Sequence, residues 1–363
     1  MKPLFNVALT CVGGRLTHDL IVALRKASDF DVNIVGLDVN ANANGRFLCD
    51  RFFTIPNAEE DQKGWLEHLL KIHSETNFTS FIPLSEAEVK LTAAYNSVFE
   101  NYKIVTSVSD NSVVNVVNDK FKLMSDLRAK GIAVGAFHSI DSTADLIENI
   151  KHLGYPNNML VLKPRAGRGS RGVMIIDAKQ DSFKALLPNR FCGHGSVEKI
   201  IEAFHENNIG FKDCILMPHY TGDVYDVDCV VNRGVAWSIT ARRRQLTNAL
   251  WPTSTGHISS TNPIVIKYVE TIIKALSMHG AADFDIIVSD DGVPFIIDGA
   301  CRLSGSVGVS CGAGVNVPAE LLRLMYGLKS NGETLTDGVA FRPFITMAAV
   351  QPAFAEDLSD VQF

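Results

Sequence analysis

No two of the seven cysteines (Cys11, Cys49, Cys192, Cys214, Cys229, Cys301, Cys311) stand in a Cys-x-x-Cys pair, and their number is odd. That pattern gives no zinc signature and no disulfide framework, and it fits reduced thiols in a cytosol. Basic residues are not in excess either: 34 Lys and Arg face 40 Asp and Glu, a formal net charge of −6. Displacing counterions from a polyanion needs the opposite balance, so nucleic acid is not an expected partner. No apolar run reaches membrane-spanning length, and no repeat or low-complexity stretch is present. Met1-Lys-Pro-Leu-Phe leads directly into a strand-like segment, unlike a signal peptide. These gaps predict a soluble, cytoplasmic protein with no membrane partner. Its 363 residues suit two or three packed units with sizeable cores.

What the chain does have is concentrated in Val161-Leu-Lys-Pro-Arg-Ala-Gly-Arg-Gly-Ser-Arg-Gly-Val173. An apolar strand delivers Lys163, and a loop of three glycines and three arginines follows before a second apolar run over 173–176. Glycine lets backbone N–H groups turn toward a ligand, and arginine forks match phosphate oxygens. The Gly-Lys-Ser/Thr ending of a Walker loop is missing, and no helix follows at once as a dinucleotide fingerprint requires. The pattern is strand, flexible cationic loop, strand. It describes a flap closing over a nucleotide, against the plainer alternative of a hairpin with a solvated basic turn.

The first third alternates strands (over 6–12, 32–38, 79–83 and 102–106) with helices (over 17–27 and 65–73). Such alternation predicts an α/β fold with a doubly wound parallel sheet. Ligands of these sheets sit beyond the carboxyl ends of the strands, so Gly13-Gly14-Arg15, Asp38-Val39-Asn40 and Leu84-Ser85-Glu86 are expected along one crevice. The double glycine lacks the full spacing of a dehydrogenase. From Asn118 the pattern changes. A helix over 120–131, capped by Asn118 and Asp119 and stopped by Gly131, is followed by helices over 141–153, 197–207 and 263–279. Strands are read over 160–164, 215–217, 225–231, 235–241, 284–288 and 294–297, and the polar tail 356–363 is expected to fray.

Asp283-Phe-Asp285 and Phe295-Ile-Ile-Asp298 flank a hairpin turned by Asp290-Asp291-Gly292. Acids near the start of one strand and the end of its antiparallel partner lie side by side across the ladder. Two carboxylates among apolar neighbours repel and need a cation. Hard oxygens beside nucleotide phosphates describe a Mg²⁺ site. Asp283 and Asp285 share a face, so either can be the first-strand ligand. Arg302, ahead of the small-residue loop 303–309, suits stabilisation of a transferred phosphoryl group. Arg242-Arg243-Arg244 offers more anion binding, with one or two of the three turned inward.

In this order the parts resemble the ATP-grasp superfamily, specifically carbamoyl-phosphate synthase large-subunit-like and biotin-carboxylase-like ligases, over nearly the whole chain. The resemblance implies a pre-ATP-grasp domain over 1–115, then a two-subdomain ATP-grasp fold: 116–214 with a mobile glycine-rich lid, and 215–363 with the metal and phosphate site. It implies ATP with Mg²⁺, or Mn²⁺ in its place, as cofactors. Lys120, in Asn118-Asp-Lys-Phe-Lys-Leu-Met124, and Lys163 approach the phosphates, and Gly167, Gly169, Ser170 and Gly172 belong to the lid. Ile215-Leu-Met-Pro-His-Tyr-Thr-Gly222 is similar to the strand that reads adenine, through Leu216 and Met217. His219 is the candidate for the ribose hydroxyls, and Asp228 is a frequent acid on the next strand. Asp285 and Asp298 fall at the metal carboxylates, while Arg302, Lys163 and Arg244 are the implied catalytic residues.

Three departures from the family's pattern stand out. Ala300 replaces the usual amide ligand, Pro218 and His219 stand where a glutamate normally holds the ribose, and Val224 replaces a second acid, with Asp223 as the neighbouring substitute. The implied chemistry is attack of a small carboxylate on the γ-phosphorus, giving an acyl phosphate and ADP. An amine, or a thiol, then displaces phosphate, and positioning and charge neutralisation dominate both steps. Carbamoyl-phosphate-like phosphorylation of a small carbon acid ranks lower, because the sequence contains neither a glutaminase domain nor a second ATP-grasp half. Ala300 speaks for a rival of another class, a non-catalytic nucleotide-binding module. Loops after Ser85, over 253–257 and over 304–314 are expected to shape the acceptor pocket, with His257 as a candidate base. Arg15 and the arginine run suggest an anionic substrate such as an amino acid, and a homodimer agrees with the resemblance.

Overall fold

Short apolar runs separated by helical stretches bury both faces only when helices cross over between parallel strands. In this computed structural model, which describes residues 2–343 apart from 15–16, 168, 188–189, 249 and 251–253, the first third does this. Its all-parallel sheet has the order Arg51–Thr54, Asp31–Asp38, Leu4–Leu9, Ser80–Ile82, Val105–Thr106. Strand alternation sends Val7 and Leu9 against Leu20, Ile21 and Leu24 of helix Thr17–Arg25. Ala8 faces the other way, into a core with Trp65, Leu69 and Ile72 of helix Gln62–Thr76. Both faces are covered, so the sheet is doubly wound.

A second sheet has the order His138–Ile140, Cys214–Pro218, Leu160–Pro164, Met174–Ile176, Gly193–Gly195, Lys184–Ala185. Only the Met174–Ile176 and Gly193–Gly195 pair runs parallel among its described strands. Helices Thr143–His152 and Val197–Glu206 pack Leu146, Ile150, Ile200 and Phe204 against it. Each starts from a serine, Ser142 or Ser196, whose hydroxyl accepts from the backbone N–H three residues on.

The third sheet is antiparallel throughout: Pro294–Ala300, Gly280–Ser289, Gly222–Asn232, Val235–Leu246, Ser254–Ser260, Ala340–Phe341. One face buries Val227, Cys229, Phe284, Ile286 and Ile296 under helix Pro263–Ala275 and the start of helix Lys120–Ala129. Helix Val317–Met325 joins the third sheet to the first unit. Its Arg323 is buried between Glu320 and Asp29, at 2.7 Å from each, and Trp237 Nε1 donates to Glu320. Among the described residues no helix is long and apolar enough to cross a membrane.

Candidate functional site

A period of two decides which side chains meet. Asp226 and Asp228, and Asp283 and Asp285, alternate with core residues on neighbouring strands, while Arg242 and Arg244 flank half-buried Arg243 on the next. Cross-strand register sets Asp298, Asp285, Asp226 and Arg242 in one row. Charges of both signs interleave. Arg244 bridges Asp226 and Asp285, 2.8 Å from the latter. Arg302 lies 3.0 Å from Asp283 and 2.7 Å from Glu86, the first residue of helix Glu86–Ala94. Arg242 and Asp228, both 0% exposed, pair at 2.7 Å. Carboxylates on adjacent strands can crowd together because each has a cation at hand.

The second sheet supplies the opposite wall. Lys163 Nζ donates to the Ile297 carbonyl at 2.6 Å. Lys120 Nζ sits 3.0 Å from Asp298 and donates to the Gly167 carbonyl at 3.2 Å. Arg165 brings the two lysines together. Its carbonyl accepts from Lys120 N at 2.9 Å, and its guanidinium holds Asp119 at 2.7 Å. Asp119 in turn caps the lysine's helix through Phe121 N and Lys122 N. Beyond Pro164 the chain turns over the site through Gly167, Gly169 and Ser170, and the Arg190 guanidinium donates to the Gly169 carbonyl.

Between these walls lies a cleft of about 580 Å³, apolar toward Val161, Ile175 and Met217 and charged toward Asp285 and Asp298. That size suits a small-molecule site. Asn118, 8% exposed, lines it beside Lys120, and neither end of its carboxamide has a hydrogen-bond partner among the described residues. Buried amides are normally satisfied, so this one marks a place for a polar ligand. A smaller cavity of about 350 Å³ adjoins the cleft, sharing Glu86, Gly169, Arg171 and Arg302 and reaching Gly14, Thr17 and Leu84 of the first unit.

Burial and crowding set the protonation states. Burial, with Asp226 and Asp298 adding to it against Arg244, pushes Asp285 up to about 6. Burial and Asp228 push Asp283 well above the usual carboxylate range, against the pull of Arg302. Burial also disfavours charge on Asp226, yet Arg244, His257 and Arg242 outweigh it and hold that carboxyl well below the ordinary range. Lys163 is brought down to about 8 by burial, with Asp298 opposing. A divalent cation between Asp285 and Asp298, which face each other in register, would relieve this crowding with hard oxygens. Ala300, opposite Asp283, adds no ligand. Among the described residues no group of three or more His, Cys, Asp or Glu is arranged for a metal.

The structure gathers Lys120, Lys163, Gly167, Gly169, Ser170, Met217, His219, Arg244, Asp285, Asp298 and Arg302 around the one cleft. Gly172 is set back against Pro164. Other expectations need correcting. Leu216 points into the core of the second sheet beside Leu162, because Met217 takes the cleft face of that strand. Asp228 lies beneath the cleft floor, sealed by Arg242 and Ser304, and offers no oxygen to a nucleotide. Asp223 is exposed and paired with Arg243 at 3.1 Å, so it does not replace the acid missing at Val224. Asp38 stays off the crevice and instead accepts from Gly13 N at 2.8 Å and Asn40 N at 2.9 Å, fixing the glycine turn. Within the expected 253–257 loop, 254–257 belong to a strand, Ser254–Ser260. Arg15, Thr253 and the tail lie outside the described residues. Sequence reasoning missed Asp226 and Asn118; Asp226 was signalled by its alternation with Asp228.

A family described as ATP-grasp in the biosynthetic pathway with Ter operon matches residues 210–349. No curated protein matches the chain. Among solved structures, an L-amino acid ligase from Bacillus licheniformis superposes with TM-score 0.65 at 18% identity, over 90% of this chain and 75% of its own. The biotin carboxylase domain dimer of 2-oxoglutarate carboxylase from Hydrogenobacter thermophilus, in complex with MgADP, ADP and bicarbonate, gives 0.67 at 15% identity, over 93% and 73%. N5-carboxyaminoimidazole synthetase from Staphylococcus aureus, complexed with ADP, gives 0.67 at 15% identity, over 92% and 81%. The chain has the ATP-grasp fold, in the form shared with these ligase and biotin carboxylase structures.

Proposed function

We propose that the cleft binds Mg²⁺-ATP and phosphorylates a small carboxylate, and that an amine then captures the acyl phosphate, releasing phosphate. One observation carries this reading: Lys120 and Lys163 converge from two elements onto the register pair Asp285 and Asp298, beneath a glycine-rich loop. Phosphates would lie between the lysines, with one Mg²⁺ on the two carboxylates and phosphate oxygens, since Mg²⁺ is usually held by one or two carboxylates plus substrate. The missing ligand at Ala300 favours a single metal. Adenine fits the apolar end at Val161, Ile175 and Met217. The adjoining cavity, between Gly14 and Arg302, is the place for the carboxylate substrate.

The same reading divides the chain into one sheet per unit, over 1–115, 116–214 and 215–363. Because Cys214–Pro218 pairs within the second sheet, we set the last division after Pro218. A homodimer belongs to this reading as well; the Hydrogenobacter domain is described as a dimer. Ala300 favours a second reading, a nucleotide-binding module without turnover.

Release of ADP from Mg²⁺-ATP, measured with pooled amino acids and small carboxylates, each pool with and without amines, tests the proposal. Turnover needing both an acid and an amine is the expected result. Turnover with bicarbonate alone would favour phosphorylation of a carbon acid, and nucleotide binding with silence in every pool would favour the second reading.

A further inference from the structure

We infer that His257 is the proton acceptor for the attacking amine, held in position by Asp226; this rests on the ligase reading above. His257 sits on strand Ser254–Ser260 directly across from Arg244 and lines the cleft, with its side chain 16% exposed. Its Nε2 lies 2.8 Å from Asp226 Oδ2. Asp226 is almost completely buried, and Arg244 and Arg242 neighbour it. An anionic carboxylate only accepts hydrogen bonds, so the ring carries its proton on Nε2 and presents Nδ1 as a base. Among the described residues Asp226 is the hydrogen-bond partner of this ring, and through Arg244 it is also tied to Asp285.

The step balances simply. The amine nitrogen forms a bond to the acyl carbon, the bond from that carbon to the phosphate oxygen breaks, and inorganic phosphate leaves with the electron pair. The excess proton on nitrogen passes to His257 Nδ1, and Asp226 stabilises the imidazolium. Phosphorylation of the carboxylate involves no such proton, so the two half-reactions should depend on His257 differently.

The test compares the wild-type chain with His257→Gln, His257→Ala and Asp226→Asn, using the carboxylate pool that supports ADP release. Amide formation from an amine is measured beside hydroxamate formation from hydroxylamine, a weakly basic nucleophile that is uncharged near neutral pH and can lose its excess proton to water. Amide formation should fall roughly 10²–10⁴-fold in the His257 variants, while hydroxamate stays near wild type and reports that the fold and the phosphorylation site are intact. Imidazole in the buffer should restore part of the lost amide rate in His257→Ala. Equal losses of amide and hydroxamate, or no loss of amide, overturn the inference while leaving the ligase reading standing. Failure of the wild type to release ADP in any pool overturns both.

Discussion

Lys163 carries its charge at a cost, because burial draws its pKa down from 10.5 to about 8. The folded value lies below the unfolded one, so the charged form destabilises the fold below pH 8, and stability rises as pH climbs from about 8 toward 10.5. Phosphate binding needs the charged form. ADP affinity measured by calorimetry should therefore fall as pH rises through about 8, and Lys163→Arg should flatten that fall. Lys163→Ala should cut ADP release roughly 10²–10³-fold, the scale of losing one preorganised charge partner of a transition state. Asp228→Ala takes from buried Arg242 its 2.7 Å carboxylate partner and leaves only the longer 3.9 Å approach to Asp226, which should cost about 3–5 kcal/mol in urea unfolding. The phosphate role proposed for Lys163 could be read ahead of the structure, whereas the structural role of Asp228 could not. Alternation assigned a face to Asp228, whereas only tertiary packing shows Ser304 and Arg242 closing over it. Leu216 and Met217 were ambiguous for a similar reason, since strand parity is fixed by what packs on each side.

At the scale of elements, the loop after strand Leu160–Pro164 depends on backbone that side chains resist. Gly172 has φ +72°, and a Cβ there would come within 2.7 Å of the Pro164 ring. Gly172→Ala should destabilise this loop by about 1–2 kcal/mol from the left-handed backbone alone, and more from the clash. The expected readout is faster proteolysis of the loop in the presence of Mg²⁺-ATP, with little change in the far-ultraviolet spectrum. The strands and helices around this loop could be read from apolar period and caps. Helix Glu86–Ala94 could have been read as well: Ser85 and Glu88 form a reciprocal capping box, and their spacing is its signature. Treating 84–86 as ligand loop obscured it. Strand Arg51–Thr54 has no such signal, because a short edge strand with partly exposed residues shows no apolar alternation.

Across the whole molecule, the charged cleft exists because three sheets supply it together. Glu86 follows the first sheet, Lys163 belongs to the second, and the carboxylate row belongs to the third. The sequence showed these parts and their order; it did not show that Arg302 and Glu86 meet, 216 residues apart. The central claim is that the γ-phosphate is transferred to a carboxylate oxygen before an amine arrives. It is tested most directly by giving the protein Mg²⁺-ATP, amines and pooled acids carrying oxygen-18 in their carboxylates, and weighing the released phosphate. The account predicts phosphate bearing one heavy oxygen, left behind when the amine displaces it from the acyl group. ADP accompanied only by unlabelled phosphate would contradict it, because the carboxylate would then never have been phosphorylated.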